Sequence, residues 1–151
     1  MQTRRKTLQH SAAVAALLAT TGLFPSYALA FNAKAFDAKN LPDVLKALGA
    51  GAPAESKDVT ITAPDIAENG AVVPLAASTT LAGVKQLLVL VEKNPSALIA
   101  VFNLSDSVEA NISTRAKMGQ SSDVYAVAVM ADGKVLFAKK EVKVTLGGCG
   151  G

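Results

Sequence analysis

Cys149 is the only cysteine of the 151-residue chain, and glycines precede and follow it in the sequence Gly-Gly-Cys-Gly-Gly at positions 147–151. A thiol can attack an electrophile, hold a covalent adduct or form a disulfide. Gly147, Gly148, Gly150 and Gly151 have no side chains and a wide choice of backbone conformations. The sequence therefore predicts a flexible C-terminal arm that presents one thiol. A frayed end whose cysteine pairs with another molecule is the alternative interpretation.

The elements that position this thiol follow an N-terminal segment with the composition of an export signal. A basic start at residues 4–6 and an apolar run at 11–23 precede the small residues Ala28 and Ala30, which suit a cleavage site. We therefore expect residues 1–30 to be a signal peptide. Its paired arginines favour the twin-arginine route, which exports folded proteins, over the general route. The apolar run is shorter than the roughly 20 residues that span a bilayer, so we expect a soluble exported protein.

Removal of this segment changes the charge of the chain and the chemistry that remains. The segment holds three of the 15 Lys and Arg residues and none of the 12 Asp and Glu residues, so the mature chain is formally neutral. The excess of basic residues in the full chain therefore does not predict nucleic-acid binding. His10, the only histidine, also lies in the segment, which excludes a Cys–His pair, a Ser-His-Asp triad or a Cys/His zinc site. We expect no cofactor or metal in this chain.

After the predicted signal peptide the sequence predicts a short helix. Asn40 is a helix-capping residue, Pro42 and Asp43 suit a first turn, and Gly49 or Gly51 ends the helix. So short a helix is not stable alone. We expect its apolar face to pack on the sheet of this domain, or alternatively on a partner subunit.

From residue 57 onward, short β-type runs alternate with turn residues. Strands are predicted at 58–63, 71–77, 85–92, 97–104, 110–118, 124–130 and 134–146. The pair Asp132-Gly133 is the strongest hairpin signal, and Asn69-Gly70 favours a tight turn. The third and fourth runs are apolar on both faces, which suits central strands. A helix is the alternative for residues 81–90, because a continuous apolar run does not reveal its period.

These strands predict a mostly β fold, an immunoglobulin-like antiparallel β-sandwich with a short N-terminal helix. About 120 residues are enough for one domain and not for two, so we expect a single domain at 31–146 and the arm at 147–151. The last strand would lead directly into the arm.

The position of Cys149 predicts a carrier rather than a catalytic centre. From Thr145 to Cys149 the chain has four residues, which span roughly 14 Å when extended. Such an arm can take a covalently held group through a narrow opening into the active site of another enzyme. It holds neither a base nor hydrogen-bond donors in place, so we expect a non-enzymatic subunit whose thiol is activated by its partners. An exported structural module that uses Cys149 for an intermolecular disulfide is the alternative.

Two stretches carry a resemblance to a known family: VKVTLGGCGG at 142–151 and APDIAENGAVVP at 63–74. They resemble the SoxY sulfur-carrier family of bacterial sulfur-oxidising systems, and the resemblance extends across the mature chain. It implies that Cys149 holds the intermediates of thiosulfate oxidation as covalent adducts. It also implies a periplasmic heterodimer with a SoxZ-like subunit that lacks an export signal of its own.

The same resemblance implies transient contacts with several enzymes. SoxXA, a haem enzyme, would join thiosulfate to the thiol, SoxB would release sulfate, and a sulfane dehydrogenase would act in some organisms. The haem and metal centres would belong to those enzymes. The resemblance gives no catalytic role to residues 65–74, for which we expect a turn and a strand, or alternatively a contact with a partner. Pro64 and Pro74 predict a sheet edge or a bulge that a partner subunit can cover.

Overall fold

The computed structural model describes residues 32–145, so the predicted signal peptide, the C-terminal arm and the predicted domain limits lie outside the described residues. Two helices come first, α1 (Ala33–Asp37) and α2 (Leu41–Leu48). The strands of the described part are β1 (Pro53–Glu55), β2 (Val59–Thr62), β3 (Ile66–Ala67), β4 (Val73–Thr79), β5 (Val84–Val91), β6 (Leu98–Asn103), β7 (Asn111–Ala116), β8 (Ser122–Met130) and β9 (Val135–Val144). No helix among residues 32–145 is long and apolar enough to cross a membrane.

The predicted helix is α2, and its ends have the predicted caps. The Asn40 side chain accepts a hydrogen bond from the Asp43 N–H at 2.9 Å, which satisfies a donor of the first turn. Gly49 follows the last turn with a φ of 70°, a left-handed conformation that glycine adopts without steric cost. The five-residue helix α1, which Asn32 caps, was not predicted, because one turn is too short to show a helical period.

The strands form two sheets, as expected for a sandwich. The larger sheet has the order β1-β9-β8-β5-β6, with β3 paired to the end of β9, and the smaller sheet has the order β2-β4-β7. The long pairs are antiparallel, whereas the short strands β1 and β3 add parallel pairs to β9. The mostly β sandwich fold is therefore confirmed, with two parallel additions that the sequence did not predict.

Strand β5 lies between the two hydrophobic layers of the molecule. Its residues Leu87, Val89 and Val91 face the core between the sheets, and Leu88 and Leu90 face the helices on the outer side. Helix α2 buries Val44 and Leu45 in this second layer, so it packs on the sheet of its own domain. Burial on both faces explains the continuous apolar run, and the helix alternative for residues 81–90 is wrong. Of the two runs expected at central positions, β5 is central and β6 lies at the sheet edge.

The loops collect at two ends of the sandwich, which we call the hairpin end and the root end. The hairpin end holds the loops at 79–84, 103–111 and 130–135, including the predicted hairpin, where Gly133 has a φ of 86°. The root end holds the end of β9, the loop at 116–122 and the loop at 68–72. The C-terminal arm follows β9 and therefore begins at the root end.

Candidate functional site: the root of the C-terminal arm

The site predicted from the sequence is the C-terminal arm itself. Cys149 and the flanking glycines Gly147, Gly148, Gly150 and Gly151 lie outside the described residues, so their role stays a prediction. The structure does describe residues 143–145, which we call the arm root and which precede the arm by one residue. What holds these residues determines where the arm starts.

Strand β3 pairs with the arm root along one edge. Ile66 lies in register with Lys143 and Ala67 with Val144, in a parallel pair. The Lys143 N–H donates to the Asp65 carbonyl oxygen at 3.0 Å, and the Thr145 N–H donates to the Ala67 carbonyl oxygen at 3.1 Å. Two backbone hydrogen bonds thus hold this edge of the root, one on each side of Val144.

A serine side chain holds the opposite edge. The β8–β9 backbone pairing ends with Ser122 opposite Val142. One residue earlier on that side, Ser121 Oγ accepts a hydrogen bond from the Val144 N–H at 2.9 Å. Successive amides of a strand point to alternate sides, so the root has partners on both edges. The hydroxyl extends the ladder by one bond and satisfies an amide that would otherwise lack a partner in the sheet.

The loop at 68–72 packs against the arm root without any spare space. A Cβ atom on Gly70 would lie 2.3 Å from the Met118 carbonyl oxygen and 2.9 Å from Val144 Cγ1. The Met118 N–H donates to the Gly70 carbonyl oxygen at 2.7 Å, which draws the two backbones together. Gly70 has no positive φ, so the position needs glycine for its missing side chain and not for its conformational freedom. The Asn69 side chain accepts from the Ala71 N–H at 2.9 Å and closes the predicted turn.

An ion pair fixes the segment that leads into β3. Lys140 Nζ lies 2.9 Å from Asp65 Oδ1 and donates a hydrogen bond to the Ala63 carbonyl oxygen at 2.6 Å. The hydrogen bond and the charge of Lys140 hold the pKa of Asp65 below its ordinary value. Because the Asp65 side chain is 88% exposed, water and salt screen the pair, and we expect its contribution to stability to be small.

Residues 63–74 thus form the wall beside the arm root, and only part of the predicted edge is present. Pro74 lies in β4, the middle strand of the smaller sheet, so the edge prediction is wrong for that strand as a whole. However, the β2–β4 pairing stops at Thr62 opposite Ala76. Pro74 lies beyond that last pair, where β4 still pairs with β7 but the missing N–H removes no hydrogen bond of the β2–β4 ladder. Pro64 lies in the link between β2 and β3.

Comparison with known proteins identifies the family. The family model described as sulfur oxidation protein SoxY matches residues 44–149, a span that includes the wall and the arm root and ends at Cys149. The chain belongs to the SoxY family. The resemblance found in the sequence is confirmed.

Solved structures give the same result. The chain is 30% identical to the sulfur carrier protein SoxY from Chlorobium limicola f thiosulfatophilum, with a TM-score of 0.63 over 70% of this chain and 94% of that chain. A superoxide reductase (neelaredoxin) variant from Ignicoccus hospitalis is 16% identical, with a TM-score of 0.52 over 72% of this chain and 91% of that chain. The second match shows a shared fold only. Comparison with curated protein sequences finds no match.

The lysines of β9 in this SoxY-family chain are partly paired with carboxylates of the same domain. Lys139 Nζ lies 3.8 Å from Asp123 Oδ2, and Lys140 forms the ion pair with Asp65. Positive charge close to a thiol lowers its pKa and makes it more reactive. Of the three β9 lysines that precede the arm, Lys139 and Lys140 are thus paired with carboxylates of the same domain.

Within residues 32–145, no group of three or more His, Cys, Asp or Glu side chains is arranged to hold a metal ion.

The sequence did not predict the residues that hold the arm root. Ser121 and Lys140 are common residues at unremarkable positions of a loop and a strand, and their role arises only from the partners that the fold brings to them. For Gly70 the sequence predicted a tight turn, as half of an Asn-Gly pair, but not the close packing on Met118 and Val144. The likeness of residues 63–74 to the SoxY family was the one signal that this segment has a specific place in the molecule.

Proposed function

We propose that this chain is a non-catalytic carrier in bacterial sulfur oxidation, which holds sulfur compounds as covalent adducts on Cys149 and presents them to partner enzymes. The observation that carries the proposal is the SoxY family match over residues 44–149, which ends on the only cysteine of the chain. The arm root gives it physical support. Its hydrogen bonds on both edges supply a fixed base for the four residues that lead to the thiol.

The proposed loading step is an oxidative conjugation with thiosulfate. The Cys149 thiol loses its proton, the outer sulfur of thiosulfate bonds to Sγ, and two electrons leave to an acceptor in a partner haem enzyme. The product is the adduct Cys149 Sγ–S–SO3−. A thiol on a glycine arm suits this step because the electron acceptor and the base belong to the partner, and the carrier only has to deliver sulfur to them.

The proposed release step is a hydrolysis in a second enzyme. Water attacks the terminal sulfur of the adduct, the bond between that sulfur and the sulfane sulfur breaks, and sulfate and two protons leave. A persulfide anion remains on Cys149, which a further oxidising enzyme can process. In SoxY-like systems these steps correspond to SoxXA, SoxB and a sulfane dehydrogenase.

We also propose that the chain works in the periplasm as a heterodimer with a SoxZ-like subunit and leaves the cytoplasm by the twin-arginine route. The support is the family membership together with the paired arginines at positions 4 and 5. A partner without an export signal would cross already bound to this chain. We expect a small protein without a signal peptide to co-purify from the periplasmic fraction, and its absence there would contradict the heterodimer.

Intact-mass measurement of protein from thiosulfate-grown cells tests the carrier function. We expect masses that correspond to sulfur adducts, and we expect Cys149→Ser to lose both the adducts and thiosulfate-dependent turnover completely. As a matched control, Ser107→Cys in the Cys149→Ser background places one thiol on an exposed loop at the hairpin end. This variant should not restore turnover, because its thiol is not on an arm.

Two results would contradict the carrier function. One is an unmodified wild-type protein that supports full turnover. The other is a disulfide-linked homodimer as the active form on non-reducing electrophoresis, which would favour the structural module instead.

A further inference from the structure

Two exposed aliphatic side chains lie beside the arm root. Ile66 is 56% exposed and Val72 is 52% exposed, and within residues 32–145 the other large hydrophobic residue with such exposure is Val108, at 54%. Val108 lies in the loop between β6 and β7 at the hairpin end. Two of these three exposed residues therefore belong to the wall at 63–74, close to the start of the arm.

The fold places both side chains on the outside of elements that touch the root. Ile66 lies in register with Lys143, and its neighbour Ala67 is buried in the core with 6% exposure. Val72 is the last residue of the loop in which Gly70 packs on Val144, and its neighbour Val73 is fully buried. In β3, alternate residues face opposite sides, so burial of Ala67 turns Ile66 towards solvent. Val72 is exposed just before β4 begins with the buried Val73.

The wall that carries these side chains is held in place independently of them. The ion pair between Lys140 and Asp65, the hydrogen bond from the Lys143 N–H to the Asp65 carbonyl and the close packing of Gly70 on Met118 all involve other groups. Ile66 and Val72 thus lie on a firm surface without being needed to build it. Neither belongs to the buried core of the domain.

The length of the arm limits where a partner enzyme can sit. Cys149 is four residues beyond Thr145, so its thiol reaches roughly 14 Å from the arm root. An enzyme that encloses the group on Cys149 in a channel must bring the mouth of that channel to the residues around the root. Among residues 32–145, the exposed large hydrophobic side chains of that surface are Ile66 and Val72.

We propose that Ile66 and Val72 form a docking patch for the hydrolase that releases sulfate from the group carried by Cys149, and that this patch contacts an apolar rim around the mouth of its channel. The inference rests on the proposed function. Two aliphatic side chains are far too few for a permanent subunit interface, which buries about 800 Å² on each partner. They suit a contact that must form and dissociate in every cycle, because a small apolar contact can orient the enzyme without binding it tightly.

The test uses the full mature chain, co-expressed with its partner subunit and loaded chemically. Tetrathionate converts the Cys149 thiolate to Sγ–S–SO3− and releases thiosulfate, which gives a defined substrate for the purified sulfate-releasing hydrolase of the same cells. The variant is the double substitution Ile66→Thr and Val72→Thr, which keeps β-branched shapes but adds hydroxyl groups. The matched control is Val108→Thr, at a site of the same exposure at the hairpin end.

We expect the double variant to raise the KM for the loaded carrier about tenfold and to leave kcat within about twofold, because docking is weakened and the chemistry is not. Val108→Thr should leave both constants unchanged. Ile66→Leu and Val72→Leu, which stay apolar, should retain the wild-type KM. The rate at which iodoacetamide alkylates Cys149 should be the same in every variant, since that reagent needs no docking.

The inference is overturned by an unchanged KM in the double variant, by an equal rise in Val108→Thr, or by loss of the co-purifying subunit, which would place the patch in the permanent interface. Failure of the proposed function itself would give a different result in the same assay. In that case the hydrolase releases no sulfate even from the loaded wild-type chain.

Discussion

The positions of Gly70 at the root end and Gly133 at the hairpin end both favour glycine over other residues, but for opposite physical reasons. A Cβ atom on Gly70 would collide with the Met118 carbonyl oxygen at 2.3 Å, although its φ is not positive. A Cβ atom on Gly133 would meet nothing within 4 Å, although its φ of 86° is one that other residues rarely adopt. The first glycine allows two segments to pack closely, and the second allows a turn in open space.

The difference extends to the surroundings of the two glycines. At the root end, backbone or hydroxyl groups pair with Lys143, Val144 and Thr145 on alternate sides. At the hairpin end, the loops border an open groove of about 810 Å³ whose lining includes Val108, and at the root end a groove of about 710 Å³ borders Ala63, Pro64 and Pro74 of the wall. The close contact between Gly70 and Val144 thus lies where the arm begins, whereas the loops of the hairpin end lie at the other end of β9. Substitutions at the root should therefore affect the start of the arm, whereas substitutions at the hairpin end should affect stability alone.

Gly70→Ala is the strongest test of this comparison. The added methyl group must displace the Met118 backbone or Val144, so we expect the free energy of unfolding to fall by about 2 kcal/mol or more in urea titrations. We also expect amide hydrogen exchange at Val144 and Thr145 to become about tenfold faster, because their partners move with the loop.

Two other glycines serve as controls for Gly70→Ala. Gly119 has no positive φ and open space around its Cα, so Gly119→Ala should change stability by less than about 0.5 kcal/mol. Gly133→Ala should cost about 1–2 kcal/mol through its strained φ and leave exchange at the arm root unchanged. Faster amide exchange at the arm root in Gly133→Ala, or an unchanged exchange rate there in Gly70→Ala, would contradict the difference between the root end and the hairpin end.

The fold could be predicted where local chemistry decides it. Asn40 and Gly49 mark the ends of α2 through capping, and Asp132-Gly133 marks the β8–β9 hairpin through its turn conformation. The parallel pairs of β1 and β3 with β9 could not be predicted. These strands have three and two residues, too few to show alternation, and their partners lie some 80 positions further along the chain.

The candidate site also has parts that the sequence indicates and parts that it does not. Cys149 and its glycines stand out in the sequence because their composition is rare, and the prediction of a carrier arm needed no fold. Ser121 carries no such signal, because a serine before a strand is common and its contact with Val144 exists only after β8 and β9 have paired. The sequence can therefore indicate the candidate reactive group, while the groups that hold the arm root become visible only in the folded chain.

Ser121→Ala should have a smaller effect than Gly70→Ala. It removes the hydrogen bond to the Val144 N–H without displacing any backbone, so we expect a loss of about 1 kcal/mol in the free energy of unfolding. Exchange at the Val144 amide should rise, while exchange at the Thr145 amide, which is bonded to the Ala67 carbonyl on the other edge, should change less. Ser107→Ala, on the exposed loop at the hairpin end, is the matched control and should change neither. Equal acceleration at Val144 and Thr145 would show that the two edges of the root do not act separately.

The smallest expected effect is a dependence on acid pH that also separates the two ends. Lys140 lowers the pKa of Asp65 at the root end, and Lys134 lowers the pKa of Asp132 at the hairpin end, each from an ordinary value of 3.8. A carboxyl group whose pKa is lower in the folded state stabilises the fold above its unfolded pKa, and this contribution is lost as the pH falls through the folded pKa. Both pairs should therefore weaken below about pH 4, and the difference in stability between wild type and either Asp→Asn variant should shrink there.

Because Lys140 and Asp65 hold the segment beside β3, only Asp65→Asn should accelerate exchange of the Lys143 amide at neutral pH. Faster exchange at Lys143 in Asp132→Asn would instead mean that the two ends are coupled through β9, the strand that runs between them.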